Sequence, residues 1–169
     1  FCLSRGLGDV YKRQVKIDSR EVEAELKKLE ARTENLKPVF EDIGEYLIVS
    51  TRQRFLDKEA PDGTPWARNS PLTQALKGKN DPLIGESKSL SRYFSYNASS
   101  RSLEFGSPMK YAAVQHFGAK QGAFGRSERG TPLPWGRIPA RPFLGLSSKD
   151  RAEILDIVRE YLAGSPEGL

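Results

Sequence analysis

The chain has 169 residues, 37% of them hydrophobic and 29% charged, with 27 Lys and Arg against 22 Asp and Glu, a balance that predicts one globular domain. A single Cys excludes an internal disulfide framework, and with a single His it excludes zinc sites built from those residues and any helix that offers two His to a metal. No apolar run approaches the roughly twenty residues of a membrane helix, so a soluble protein with no membrane partner is expected.

Residues 1–14 hold no sustained helical or strand period and lack the apolar stretch of a signal peptide. They resemble a translated sequencing-adapter artefact; the alternative is a disordered tail, and either would stand outside the fold. This segment contains Cys2, the tight pair Gly6 and Gly8, and Arg5, Lys12 and Arg13 against Asp9, so none of these supports a function. Residues 15–169 are read as a single domain.

Val15, Lys16 and Ile17 alternate like a short edge strand, and Asp18 with Glu21 has capping-box spacing for a helix start. Val22, Leu26 and Leu29 then form one apolar helical stripe. Pro38 fits the first turn of a second helix, whose stripe of Phe40, Ile43, Leu47, Thr51 and Phe55 extends to about Asp57. Pro61-Asp62-Gly63-Thr64-Pro65 is a turn, with Trp66 after it as an apolar plug. Ser70-Pro71 reads as the cap and first residue of a short helix to about Lys77, followed by a polar loop over 78–82. A helical turn near 86–91 leads into a hairpin formed by 93–96 and 103–105. Tyr111 to Phe117 reads as helical and is stopped by Gly118. Glycine and proline crowd 118–139, where no regular element of length fits. One short strand is expected around Phe143 and Leu144. Ser147 or Ser148 then caps a last helix with Ile154, Leu155, Val158, Tyr161 and Leu162 buried and Gly164 at its end. The fold class is therefore α+β: two N-terminal helices and a C-terminal helix on a small, mostly antiparallel sheet, with a long loop projecting.

Charge is concentrated rather than spread. Residues 108–142 carry Lys110, Lys120, Arg126, Arg129, Arg137 and Arg141 against Glu128 alone, whereas the helical segments on either side are mildly acidic. Such segregation suits head-to-tail association or contact with phosphates, with a solvated loop as the plain alternative. Enzyme signatures are lacking. The stretch ending in Lys79-Asn80 misses both the first glycine and the hydroxyl of a phosphate loop, and His116 has no catalytic Ser, Cys or carboxylate near it in sequence. No catalytic residue, metal site or cofactor is expected. Aromatic and basic residues interleave around Tyr111, His116, Phe117, Phe124 and Trp135, a mixture typical of protein interfaces and also of single-strand binding surfaces. The interface reading is the stronger.

Four stretches in order carry a family resemblance: Ser50-Thr51-Arg52-Gln53-Arg54-Phe55, the turn 61–66, Tyr111-Ala112-Ala113-Val114-Gln115-His116-Phe117-Gly118, and Ile138-Pro139-Ala140-Arg141-Pro142-Phe143-Leu144-Gly145-Leu146. Together, over about residues 15–163, they resemble the phage virion morphogenesis family, which includes tail completion proteins of Mu-like phages. The family often has His before Gln in the third motif, where this chain has Gln115-His116. The resemblance implies a non-enzymatic structural protein that completes the tail or forms part of the head-tail joint. It implies a homo-oligomeric ring, a hexamer among the candidates, in contact with tail tube, tail terminator or head-connector proteins. The place of action would be the virion, and the host cytoplasm during assembly.

On that reading Tyr111, His116, Phe117, Arg141, Phe143 and Leu144 are candidates for an oligomer or partner interface, although Pro142, Phe143 and Leu144 could equally close the monomer core. Lys120, Arg126, Arg129 and Arg137 are candidates for weak, non-specific phosphate contact. The alternative function is a nucleic-acid-binding module that uses the basic 108–142 region.

Overall fold

The computed structural model describes residues 19–31, 35–77, 81–85 and 87–164. The strand expected at 15–17, the cap at Asp18 and most of the 78–82 loop lie outside the described residues.

Helix α1, Arg20–Glu30, buries Val22 and Leu29, and its acidic first turn and basic last turn complement the helix dipole. Helix α2, Lys37–Asp57, is the organising element: Pro38 occupies its first turn, where a missing N–H costs nothing. It buries Val39, Phe40, Ile43, Gly44, Leu47, Thr51, Arg54 and Phe55, and it ends at Lys58, which is left-handed and donates its N–H to Arg54 O at 2.7 Å. The expected turn follows, closed by Ala60 N–H on Thr64 O at 2.8 Å and by Thr64 N–H on the Asp62 carboxylate at 2.9 Å. Trp66 is buried behind it, with its indole N–H on Pro142 O at 2.7 Å. Helix α3, Pro71–Lys77, is capped by Ser70, whose hydroxyl accepts the Thr73 N–H at 3.2 Å.

A single turn, α4 at Ser89–Arg92, introduces the sheet, a two-stranded antiparallel hairpin of β1, Ser95–Ala98, and β2, Leu103–Gly106. Tyr96 pairs with Phe105 and Ala98 with Leu103, so these four side chains share the half-buried face. A hairpin this small is marginal alone, and α2 backs both of its strands. Helix α5, Ala112–Phe117, ends at Gly118, and helix α6, Ser148–Gly164, packs across α1 and α2. Ser147 caps α6 reciprocally: its hydroxyl accepts the Asp150 N–H at 3.1 Å while the Asp150 carboxylate accepts the Ser147 N–H at 2.7 Å.

The expected strand around Phe143 and Leu144 does not form. Their N–H groups both point to His116 Nδ1, at 3.3 and 3.4 Å, and Phe143 O accepts from Arg54 at 3.0 Å. Side chains occupy the positions a neighbouring strand would need, and Pro142 has no N–H to offer.

Two apolar clusters make the core. One joins α1, α2 and α6 through Leu29, Leu36, Val39, Phe40, Ile43, Leu47, Ile154 and Val158. The other surrounds Phe55 with Ala60, Trp66, Leu90, Phe94, Ala112 and Phe143. There Phe55 meets Trp66 edge-on at 5.1 Å and Phe143 at 5.5 Å.

Candidate functional site

Residues 119–138 fold into an arm. At its root Ala119 and Ile138 exchange both backbone hydrogen bonds, at 2.9 and 2.8 Å. Further out, Gly122 N–H meets Pro134 O, Phe124 N–H meets Leu133 O, Leu133 N–H meets Gly125 O, and Ser127 N–H meets Thr131 O. Gln121 reaches Trp135 O at 2.9 Å and Arg126 reaches Gly130 O at 2.8 Å. Among the described residues no hydrogen bond ties 120–137 to the rest of the chain. Glycine and proline keep the arm from becoming a ladder, as expected, yet it is fully cross-braced.

What the arm presents is unusual for a monomer surface. Trp135 is 64% exposed, Phe124 43% and Leu133 42%, and Lys120, Arg126, Arg129 and Arg137 are all exposed around them. The four phosphate-contact candidates are thus exposed on one internally hydrogen-bonded segment.

The root of the arm is closely packed. Gly118 has φ +72°, and a Cβ there would lie 2.7 Å from both Ala140 N and Ile138 O, so only glycine lets α5 turn into the arm at this closeness. Below it, His116 is buried with Nδ1 accepting from Phe143 and Leu144, which places its proton on Nε2; burial pushes its pKa below the ordinary value. Arg141 is also buried. Its Nε donates to Ala67 O at 2.7 Å and its terminal nitrogen to Arg68 O at 3.0 Å and Asn69 Oδ1 at 3.5 Å, and burial lowers its pKa as well. Of the six interface candidates, His116, Arg141 and Phe143 therefore pack within the chain, Leu144 is half-buried, and Tyr111 and Phe117 are exposed.

Beside the root lies an open cleft of about 900 Å³, between α1, the hairpin, α5 and the 143–146 segment. Val22, Leu26, Phe40, Phe105, Met109 and Leu146 contribute its apolar surface, and Glu23, Arg101 and Glu104 stand on it as charged residues.

The sequence reading missed the most connected polar group in the molecule. Asp150, 1% exposed, pairs with the buried Arg54 and also accepts from the Ser50 hydroxyl, from Tyr46 at 3.0 Å, and from both the N–H and hydroxyl of Ser147 at 2.7 Å. Arg54 continues to Phe143 O and to Gly145 O at 2.9 Å. Burial alone would raise the Asp150 pKa, but hydrogen bonds from Ser50 and Ser147 and the Arg54 charge outweigh it and hold the carboxyl below its ordinary value. The same group, after burial, raises the Tyr46 hydroxyl to about 12. Two signals were available: Arg54 lies three residues beyond Thr51 on the buried stripe, and Asp150 lies three beyond Ser147. Every partner here is structural, and neither Arg54 nor Asp150 lines the cleft.

A family model described as the phage virion morphogenesis family matches residues 17–163. The chain belongs to that family. Membership gives the chain a role in phage assembly and associates it with the virion. No curated protein and no solved structure matches it. Among the described residues no helix is long and apolar enough to cross a membrane, and no group of His, Cys, Asp and Glu could hold a metal.

Proposed function

We propose that the protein completes the phage tail or forms part of the head-tail joint, acting without catalysis as a homo-oligomeric ring. The observation that supports this most is the arm. It is braced internally, makes no hydrogen bond to the body among the described residues, and offers Trp, Phe and Arg, residue types enriched at protein interfaces. A side chain such as Trp135 left in water on a hydrogen-bonded support is arranged for a partner, since a large aromatic buries about 150–250 Å² when covered. The partners on this reading are further copies of the chain together with tail tube, tail terminator or head-connector proteins. Assembly would take place in the host cytoplasm.

The test is removal of the gene from the phage or prophage that carries it, followed by electron microscopy of the lysate. Full heads and separate tails should accumulate, with infectivity restored when the wild-type chain is supplied. Joined, infectious particles without the gene would overturn the proposal.

One observation favours contact with nucleic acid as an additional property: Lys120, Arg126, Arg129 and Arg137 are exposed together on the arm. Four such cations give only weak, salt-sensitive binding, with log K falling against log salt at a slope of about −3.6. Replacing Arg126, Arg129 and Arg137 by Ala should abolish DNA retention at low salt; unchanged retention would remove this reading.

A further inference from the structure

We propose that the 119–138 arm of one copy docks in the open cleft of a second copy, with Trp135 and Phe124 on the apolar floor and the arm cations against Glu23 and Glu104. This rests on the ring reading above and names the surfaces that would build it.

Two exposed apolar surfaces could receive the arm, and charge chooses between them. The first is the outer stripe of α2, where Val49 is 64% exposed and Leu56 70%, continued by Tyr93 at 55%. Its neighbouring charges are Arg52 and Arg92, with the Arg52 guanidinium on Arg92 O at 3.0 Å. The carboxylates near it, Glu45 one turn before Val49 and Asp57 beside Leu56, already accept from the Tyr96 hydroxyl at 2.9 Å and the Gln53 amide at 3.0 Å, so with Arg52 and Arg92 alongside, this stripe is the poorer match for a basic arm. The second is the cleft. Its floor presents Val22, Leu26, Phe105 and Met109, and its charged residues are two carboxylates, Glu23 and Glu104, against the single Arg101. Both glutamates are exposed and free to meet incoming guanidinium groups. Apolar tip to apolar floor and cation to a carboxylate with no hydrogen bond of its own among the described residues are matched together at the cleft.

The geometry has a consequence for symmetry. Arm and cleft are different patches, so each copy offers one donor and one acceptor, which is a heterologous interface and generates rings when the rotation closes. The arm springs from Gly118 right beside the cleft wall, because Phe117 and His116 line the same opening. A copy that accepts an arm therefore has the root of its own arm braced by the guest.

The full chain would be studied by light scattering over a concentration series, at low and high salt. One variant carries Phe124→Ala and Trp135→Ala; the other carries Glu23→Lys and Glu104→Lys. All four positions are exposed, and circular dichroism checks that each fold is kept. The wild type should form a defined oligomer that weakens with salt. Each variant alone should associate at least tenfold more weakly. Mixed, they should yield a one-to-one dimer and nothing larger, since one intact arm and one intact cleft remain. A wild type that is monomeric throughout, variants that keep the wild-type oligomer, or a mixture that stays monomeric would each overturn the arm-and-cleft pairing. The gene-removal experiment is read independently, so a role at the head-tail joint can stand even where this pairing fails.

Discussion

Thr51 is 1% exposed, and among the described residues its hydroxyl is the buried side-chain oxygen that has no hydrogen-bond partner. An unpaired buried hydroxyl costs about 1–3 kcal/mol of desolvation without return. Thr51→Val keeps the branched shape and removes the hydroxyl, so it should raise stability by about 1 kcal/mol, read as a higher urea midpoint at unchanged slope. A lower midpoint would mean that the hydroxyl is satisfied in solution. Three residues along the same helix the opposite situation holds. Asp150→Ala would leave the Arg54 guanidinium buried without its carboxylate, at a cost of about 3–5 kcal/mol. The paired change Arg54→Met with Asp150→Leu should cost less than Asp150→Ala, because no uncompensated charge remains. Additive losses would instead show the two residues stabilising independently, which a double-mutant cycle reads directly.

At the scale of elements, the contact between α2 and the hairpin depends on a missing side chain. A Cβ on Gly44 would come within 2.6–2.8 Å of the Tyr96 ring, at its base rather than its mobile end. Gly44→Ala gains up to about 1 kcal/mol of helix propensity, yet overpacking costs about 1–3 kcal/mol. The net expectation is destabilisation, with hydrogen exchange in β1 and β2 accelerated more than in α6; uniform or absent change would show that the ring simply moves aside. This contact also marks the border of what could be read from sequence. Helical faces were legible because burial repeats along each helix: Val22 and Leu29, then Phe40 to Phe55, then Ile154 and Val158 all fall on the expected stripes. The hairpin was legible as two short β-prone runs, but its first strand begins at Ser95 rather than Tyr93. The Phe143-Leu144 strand was misread for a physical reason. Its hydrogen-bond partners are the side chains of His116 and Arg54, far away along the chain, and no local pattern announces them. At the candidate site, the residue types of the arm were readable, whereas the division between exposed Trp135 and buried Arg141 depends on tertiary packing.

For the whole molecule, acid should loosen the fold in two separated steps, because two buried groups hold depressed pKa values for different reasons. His116 must stay neutral so that Nδ1 can accept from Phe143 and Leu144, and burial lowers its pKa from 6.5. The unfolded chain therefore takes up this proton first as pH falls, and stability drops from about pH 6.5 down to the lowered folded value. Asp150 behaves differently: its folded pKa lies below 3.8, so its contribution is intact above that value and is lost only as pH falls further. His116→Asn offers an acceptor oxygen near the position of Nδ1 but does not titrate. Urea midpoints measured from pH 7 to 5 should fall for the wild type and stay flatter for this variant, while both lose stability below pH 4. Parallel curves over pH 7 to 5 would show that His116 does not set the first step. Because α5 runs through Gly118 into the arm, and Arg141 N–H holds Gln115 O at 3.0 Å on the same footing, the first acid step should also release the arm's root. The arm should then exchange its amide protons faster at pH 5 than at pH 7, after correction for intrinsic exchange, in the wild type and not in His116→Asn.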